Sequence, residues 1–273
     1  MVEKYIKSNV CPLPWTHLEV DVNGGASPCC LYKGSVPGVK VYQQSLKSIQ
    51  DTEYMAKLRQ QFRNGERPKG CQSCWQEEDA GKTSKRQNSI YKMKKSLTDW
   101  TPNSEPSLRF IDFKLGNVCN LKCRFCAYDK RDLSHVPYTT MSFDFFKDIT
   151  DQCIDFGYKN FGLTPITGDV FMDKKIIEKF DYLEKIEDLN GFYFYTNFIP
   201  LNEIKIEKLF TYKKLTHLGI SIYGHDEESF VKFSKGSVNS FKILIRNLEF
   251  FYKLLNNKKY NFKIEIGHRT SKD

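Results

Sequence analysis

The chain has 273 residues, and its 42 basic residues against 33 acidic ones give a formal charge of +9. Hydrophobic residues make up 40% of it and charged residues 27%, which is typical of a globular protein with a sizeable core. No apolar run is long enough to span a bilayer and the first residues lack the apolar core of a signal peptide, so we expect a cytoplasmic protein without a membrane partner. The excess charge is scattered lysine, so nucleic acid is not expected as a partner.

Nine cysteines in a chain without an export signal point to metal ligands rather than disulfides, because cytosolic thiols stay reduced. Their clustering supports the same interpretation. Eight of them fall into two groups, Cys11, Cys29, Cys30, Cys71 and Cys74 in the first and Cys119, Cys123 and Cys126 in the second. Cys153 stands alone on a helical pattern and is predicted to be a small core residue.

A small hairpin is predicted in the first segment, residues 1 to about 80. The alternation over residues 18–22 indicates a strand that leads into the turn Asn23-Gly24-Gly25. A second short strand then returns the chain, which brings Cys29 or Cys30 back beside Cys11. The hairpin therefore supplies two thiols to one place.

A helix and a knuckle follow the hairpin. Apolar residues from Ser45 to Arg63 have helical spacing, and Asn64-Gly65 is a stop signal. Cys71 and Cys74 then form a tight knuckle. Four thiolates from the hairpin and the knuckle satisfy a tetrahedral zinc site or an iron–sulfur cluster, and the spacing alone favours neither.

Residues 81–107 are polar and rich in lysine, which predicts a basic linker. A short helix is expected around Ile90 to Leu97, and the run Thr101-Pro102-Asn103-Ser104-Glu105-Pro106 is typical of a loop. We place the domain boundary at about residue 107.

Strand and helix patterns alternate from residue 108 onward. Strands are predicted at 108–115, 161–166, 192–196, 215–223 and 262–266, and helices at 142–156, 173–186, 202–211 and 238–255. This alternation implies βα units and a parallel sheet, open or partly closed into a barrel. The chemistry of such folds lies at the carboxyl ends of the strands.

The second cysteine group directly follows the first of these strands. Three thiolates on one short loop hold three corners of a metal cluster and leave the fourth position open to a ligand. Polar residues follow the other strands and are expected to face the loop, namely Thr167-Gly168-Asp169, Thr196-Asn197, Ser221 to Gly224 and His268-Arg269. Gly168 permits close backbone approach, and Asp169 is suited to accept a hydrogen bond from an ammonium group.

The spacing of Cys119, Cys123 and Cys126, with Phe125 before the last of them, resembles the signature of the radical S-adenosylmethionine (radical SAM) enzymes over roughly residues 108–273. The resemblance implies a partial (β/α) TIM-like barrel of five to six βα units. It also implies that the three cysteines bind a 4Fe-4S cluster whose open iron is chelated by S-adenosylmethionine (SAM). Reductive cleavage of SAM would then give a 5′-deoxyadenosyl radical that abstracts hydrogen from a substrate.

The same resemblance implies contacts to SAM. Phe125 would line the adenine site, Gly168 and Asp169 would contact the amino group, and Ser221 would lie near the ribose and carboxylate. Asn197 joins this set by its position alone. Two alternatives stay open: Asp169 caps the following helix, or the three cysteines form a structural zinc site with His135 as fourth ligand.

The first cysteine group resembles the SPASM/twitch accessory domains of radical SAM enzymes, with twelve residues between Cys11 and Gly24, four between Gly24 and Cys29, and the later pair Cys71 and Cys74. The resemblance implies an auxiliary 4Fe-4S cluster on Cys11, Cys29, Cys71 and Cys74. Two features differ from most relatives, because here the accessory domain precedes the barrel and Cys30 beside Cys29 leaves the second ligand open.

Together these resemblances predict an α/β protein with a twitch-like domain at 1–80, the linker at 81–107 and a radical SAM core at 108–273. Five strands against the six βα units usual in the family imply a barrel without its last unit, or a short or truncated member. The expected substrate is a peptide or a small molecule, and the expected electron donor is a flavodoxin or ferredoxin. The alternative is a zinc-stabilised, non-enzymatic nucleic-acid-binding module, suggested by the +9 charge and the knuckle.

Overall fold

The computed structural model describes residues 3–124, 126, 138–164 and 167–269. The chain divides into two compact units, Met1–Asp112 with Asp148–Asn160, and Phe113–Lys147 with Phe161–Asp273. Within the described ranges, no helix combines the length and the apolar character needed to cross a membrane.

The first unit is largely helical around a small hairpin. Its helices are α1 (Glu3–Lys7), α2 (Leu13–Thr16), α3 (Leu46–Gln50), α4 (Glu53–Arg63), α5 (Gln72–Asp79) and α6 (Lys85–Lys92), and its strands are β1 (His17–Val20), β2 (Ala26–Ser27) and most of β3 (Phe110–Phe113). The strand order is β2-β1-β3, and β1 pairs antiparallel with β2, with Glu19 opposite Ser27. The predicted hairpin is therefore confirmed.

The helix predicted from Ser45 to Arg63 is two helices, α3 and α4. Ser45 caps the first by accepting a hydrogen bond from a backbone N–H, and Thr52 caps the second in the same way. Because Thr52 has ψ 147°, the chain is extended there and a continuous helix is impossible. The predicted stop is confirmed, since α4 ends at Arg63 and Gly65 has a positive φ of 72°.

Part of the predicted linker is the helix α6, which begins about five residues earlier than expected. Ser84 and Gln87 form a capping box at its start. Its residues Arg86, Ser89 and Ile90 are buried in the first unit. The linker at 81–107 thus contributes side chains to the interior, while the boundary at residue 107 stays a prediction.

The second unit contains the predicted βα alternation. Its elements are most of β4 (Asn160–Gly162), β5 (Gly191–Thr196), β6 (Leu215–Tyr223) and β7 (Lys263–Arg269), with α8 (Ile176–Glu184), α9 (Glu203–Leu209), α10 (Glu227–Ser234) and α11 (Val238–Asn257). The helix α7 (Phe143–Asp155) begins in this unit and ends in the first. The strand order is β4-β5-β6-β7, and β5, β6 and β7 are parallel, which confirms the predicted parallel sheet.

The two faces of β5 have different surroundings. Phe192 and Phe194 are fully buried and stack on Phe180 of α8, with ring centroids 5.2 and 5.0 Å apart. Tyr193 and Tyr195 point to the opposite face of the sheet and are half-buried. Burying one such phenylalanine contributes about 1.5–3 kcal/mol, so this layer stabilises the sheet, whose parallel strands have their carboxyl ends at one edge.

Candidate metal centres

The three cysteines of the second group lie on one loop of the second unit, which is docked on the end of α10. The backbone N–H of Lys122 donates to the Ser234 carbonyl at 3.1 Å, and that of Arg124 donates to the Phe233 carbonyl at 2.8 Å. A further turn is closed by the Cys126 N–H and the Cys123 carbonyl at 2.9 Å. Along this loop Cys119 is exposed, Cys126 half-buried and Cys123 buried.

The electrostatics of these thiols suit a bound cation. Removal of the sulfur atoms from water, together with repulsion from the neighbouring thiols, raises the pKa of Cys119 to about 11 and that of Cys123 to about 12. The Tyr223 hydroxyl donates a hydrogen bond to the Cys123 sulfur, which opposes the rise. Three close thiolates repel one another unless a metal neutralises them, so the donor set fits a cluster with one open position.

A site for a single metal ion needs several ligands that meet at one point. In the described part of the chain, no three His, Cys, Asp or Glu side chains are grouped as ligands of one metal ion. The thiolates of a four-iron cluster each bind a different iron, so they surround a space instead of meeting at a point.

Asp169 is buried beside the loop, and its carboxylate is occupied by the protein. It accepts hydrogen bonds from the N–H of Phe171 at 3.0 Å, the N–H of Asn197 at 2.6 Å and the Thr196 hydroxyl at 2.9 and 3.0 Å. Burial raises the pKa of Asp169, and these hydrogen bonds oppose the rise. Asp169 caps the 3-10 helix Val170–Met172, so the capping alternative holds for this short helix and not for the longer helix α8, which begins at Ile176. Its contact with SAM stays a prediction.

Gly168 is pressed against the backbone that leads into the cysteine loop. Its φ is +112°, and a Cβ there would lie 2.6 Å from the Val118 carbonyl oxygen. The next N–H, that of Asp169, donates to the same carbonyl at 2.8 Å. Glycine is thus required at this position, and the backbone that approaches it in the structure is that of Val118.

Asn197 lies against the first cysteine of the loop. Its Nδ2 is 3.9 Å from the Cys119 Sγ and donates to the Asn120 Oδ1 at 2.8 Å, while its Oδ1 accepts from the Ile199 N–H at 3.1 Å. The following residue, Phe198, is fully buried with a φ of 65°, a conformation that is strained for a non-glycine residue. The structure thus fixes the Asn197 amide beside the loop, and its role towards a cofactor stays a prediction.

The remaining predicted residues have different positions. Ser221 is half-buried on β6 opposite Gly267, and Arg269 lies over the Tyr223 ring at 5.9 Å. Phe125 and His135 lie outside the described residues. Tyr223 was not singled out as a cysteine partner, although the alternation of β6 places it on the same face as Ser221.

A pocket in the first unit brings together the four cysteines predicted for the auxiliary site. Cys11, Cys29, Cys71 and Cys74 all line it. The rest of the wall is mainly apolar and includes Leu13, Pro14, Leu58, Phe62 and Trp75. Burial raises the pKa of Cys71 to about 12 and that of Cys11 further. Four thiols that line one pocket fit a cluster with every corner held by protein.

Cys30 does not line this pocket and has other neighbours. A hydrogen bond with Cys29 and the charge of Lys85 lower the pKa of Cys30 to about 7, against the effect of burial. His17 is buried nearby, with Nε2 3.0 Å from the Asp112 carboxylate and Nδ1 3.0 Å from the Pro28 carbonyl. Sequence reasoning did not identify the His17 pairing, because its partner is 95 residues away. The geometry favours Cys29 over Cys30 as a ligand.

Comparison with known families gives two matches. The family model of the radical SAM superfamily matches residues 113–264, and the model of the SPASM iron–sulfur cluster-binding domain matches residues 11–75. No curated protein matches the chain.

Solved structures provide more distant similarities. Native anSMEcpe with bound AdoMet is 21% identical with a TM-score of 0.44, over 56% of this chain and 42% of that one. Streptococcus suis SuiB bound to S-adenosylmethionine is 14% identical with a TM-score of 0.44, over 82% of this chain and 47% of that one. SuiB bound to the precursor peptide SuiA is 16% identical with a TM-score of 0.44, over 68% of this chain and 38% of that one. The chain spans less than half the length of these proteins.

The two family matches agree with the two cysteine sites. The first family brings a 4Fe-4S cluster and SAM as cofactors, and the SPASM domain brings auxiliary iron–sulfur clusters. Because residues 113–264 are more than half of the 273-residue chain, the protein belongs to the radical SAM superfamily.

Proposed function

We propose that the protein reductively cleaves SAM and uses the resulting 5′-deoxyadenosyl radical to abstract hydrogen from a peptide or small-molecule substrate. The observation that carries this proposal is the cysteine loop. The backbone of this loop is held on the end of α10, and Cys119, the exposed cysteine, lies beside the Asn197 amide at the end of β5. When bound, the reduced cluster supplies the electron that breaks the sulfonium bond of SAM.

The residues of the loop and of the strand ends have distinct tasks in this proposal. Cys119, Cys123 and Cys126 hold the cluster, and Tyr223 orients Cys123 through its hydrogen bond. The Asn197 amide stands beside Cys119 and is available to the cluster sulfur or to SAM. Asp169 holds that amide in place, because it accepts the Asn197 N–H.

SAM contacts are proposed for the positions that carry the family resemblance. Phe125 lines the adenine site, Gly168 and Asp169 contribute to the pocket of the amino group, and Ser221 contributes to that of the ribose and carboxylate. The Asp169 carboxylate already accepts hydrogen bonds from Phe171, Thr196 and Asn197. These bonds support a role for Asp169 in shaping the SAM pocket as well as a direct contact with SAM.

An auxiliary 4Fe-4S cluster on Cys11, Cys29, Cys71 and Cys74 is the second part of the proposal. The shared pocket and its apolar wall support it. With all four corners held by thiolates, this cluster has no position for substrate, so electron transfer or bracing of the hairpin is its expected role. We expect an electron donor such as a flavodoxin or ferredoxin to reduce the clusters. The proposed domains are the twitch-like domain at 1–80, the linker at 81–107 and the radical SAM core at 108–273.

The test is anaerobic purification followed by reduction with dithionite in the presence of SAM. The wild-type protein should be brown, hold about eight irons in two four-iron clusters and release 5′-deoxyadenosine. Cys126→Ala should lose about half of the iron and all SAM cleavage. Cys153→Ala is the matched control, because Cys153 is a buried cysteine of α7 that belongs to neither group. Colourless protein with stoichiometric zinc would contradict the proposal and favour the zinc-stabilised module.

A further inference from the structure

One buried cation lines the pocket of the four cysteines. It is Arg86 of α6, whose side chain is 2% exposed. Its five N–H groups make five hydrogen bonds: to both Glu78 oxygens at 2.9 and 2.6 Å, and to the carbonyls of Tyr5, Val10 and Ile6 at 3.0, 2.9 and 3.2 Å. A guanidinium has five such donors, so every one of them is used within the protein.

These bonds connect the segments that carry three of the four thiols. The Val10 carbonyl precedes Cys11 directly, and Glu78 lies one helical turn after Cys74 on α5. Arg86 also lies over the Trp75 ring at 5.1 Å, and Trp75 itself forms part of the pocket wall. The guanidinium therefore fixes the N-terminal segment against the knuckle helix.

The charge of Arg86 also acts on the pocket. Its guanidinium forms part of the wall of the pocket that Cys11 and Cys71 also line, so a positive charge faces the same space as these thiols. Its partner Glu78 is ionised, because hydrogen bonds from Arg86 and Ser84 hold the pKa of that carboxyl below its usual range against the effect of burial. The pocket thus faces a cation whose own counter-ion is Glu78.

Stability alone does not account for such a pair. Replacing a buried ion pair by apolar residues of similar volume is often neutral or stabilising, so a buried Arg–Glu pair is weak evidence for a purely structural role. A fixed cation in a wall that faces four thiolates, in contrast, stabilises their negative charge.

We propose that Arg86 is a positioning residue for the auxiliary cluster, which aligns Cys11 with the Cys71–Cys74 knuckle and raises the reduction potential of the cluster. This inference rests on the proposed function, since it requires a cluster in the pocket. One-electron reduction adds one negative charge to the cluster, and a fixed cation nearby stabilises the reduced form.

Three variants separate the two parts of this role. Arg86→Lys keeps the charge but has three donors instead of five. Glu78→Gln keeps the shape and removes the counter-ion. The double variant Arg86→Met/Glu78→Gln keeps the net charge of the pair and removes the guanidinium. Arg59→Lys is the control, because Arg59 likewise donates to backbone carbonyls of this unit, those of Pro14 and Gln50, but does not line the pocket.

The measurement is an anaerobic redox titration of the full chain with dithionite, followed by electron paramagnetic resonance together with the iron content. The auxiliary signal is the one that SAM does not change. In Glu78→Gln this signal should titrate at a higher potential, by at least the tenfold shift in equilibrium constant that corresponds to about 59 mV for one electron. Arg86→Lys and the double variant should lose auxiliary iron at least twofold, while Arg59→Lys keeps it.

The outcomes distinguish this inference from the proposed function. If the wild-type protein holds no iron in the pocket, both the auxiliary cluster and the role of Arg86 are wrong. If the wild-type protein holds both clusters, and Glu78→Gln leaves the auxiliary potential unchanged while Arg86→Lys keeps its iron, then Arg86 is a structural residue only and the proposed function stands.

Discussion

The two cysteine sites differ in how their thiols meet the surroundings. In the first unit, four thiols line a pocket whose wall is mainly apolar, and Cys11 and Cys74 are buried. In the second unit, three thiols share a loop on which Cys119 is exposed. A closed set of ligands suits a cluster that only exchanges electrons, and an open set suits one that binds a further molecule.

The polar groups around the sites show the same difference. Asn120 and Asn197 surround Cys119 with amides, and the Tyr223 hydroxyl bonds to Cys123. At the pocket of the first unit, the charged groups Arg86 and Glu78 satisfy each other inside the wall. Uncharged polar groups thus surround the loop cysteines, whereas a mutually satisfied ion pair lies in the wall of the pocket.

The largest expected effect is the loss of the cluster in the first unit, with the cluster of the cysteine loop retained. Cys71→Ala and Cys29→Ala should each lose about half of the iron and retain SAM cleavage, because their thiols line only the pocket of the first unit. Cys30→Ala is the matched control and should keep all the iron, since Cys30 does not line that pocket. The iron content, the sulfide content and the release of 5′-deoxyadenosine are measured for each of the three variants.

Two results would contradict this comparison. Loss of iron in Cys30→Ala with retention in Cys29→Ala would make Cys30 the ligand. Loss of SAM cleavage in Cys71→Ala with the loop cluster still present would mean that the two sites do not work independently.

The second prediction concerns the turn that supports the open site. Gly168→Ala should destabilise the protein by about 3 kcal/mol, because a Cβ meets the Val118 carbonyl at 2.6 Å and φ is +112°. Gly38→Ala is the control, since Gly38 has φ +69° but no atom within 4 Å of its Cβ. It carries only the backbone strain, about 1 kcal/mol. Urea unfolding of the two variants measures the difference.

The same substitution should disturb the open site more than the closed one. A shifted Val118 moves the backbone directly before Cys119, so Gly168→Ala should bind SAM more weakly and keep the iron of the first unit. Equal destabilisation by Gly168→Ala and Gly38→Ala would show that the close approach to Val118 does not matter.

Strands and helices with a regular apolar pattern over several residues were predictable from the sequence. The strand predicted at 215–223 has the bounds of β6, and the helices predicted to begin at 142 and 202 begin in the structure at Phe143 and Glu203. These signals are local, because a strand or a capped helix depends on neighbouring residues alone. The strand ends that form the candidate site followed from the parallel sheet.

Short elements and long-range contacts were not predictable in this way. The eight-residue α10 was missed because its capping box pairs Asp226 with Ser229, which lacks the usual Glu or Gln at the third position. Arg86 lies in the predicted linker, and nothing in its neighbours along the chain reveals carbonyl partners 76 to 81 residues away. The choice between Cys29 and Cys30 is of the same kind, because adjacent residues face different sides of the chain and only tertiary packing decides which side is the pocket.

The smallest expected effect is a pH dependence in the first unit. Burial lowers the pKa of His17, but the hydrogen bond and the charge of Asp112 outweigh it and hold the pKa above its usual value of 6.5. A raised folded-state pKa means that the native protein binds the proton more tightly. The stability from this pair is therefore complete below about pH 6.5 and is lost as the pH rises through the folded-state pKa.

Asp112→Asn tests this pair, because it removes the charge and keeps the shape. The variant should be less stable than the wild type by about 1.5 kcal/mol near pH 6, and the difference should shrink as the pH approaches 9. Urea unfolding of both proteins at each pH gives the difference. A difference that grows with pH would mean that His17 is neutral in the folded protein and that Asp112 accepts a hydrogen bond from an uncharged imidazole at 3.0 Å.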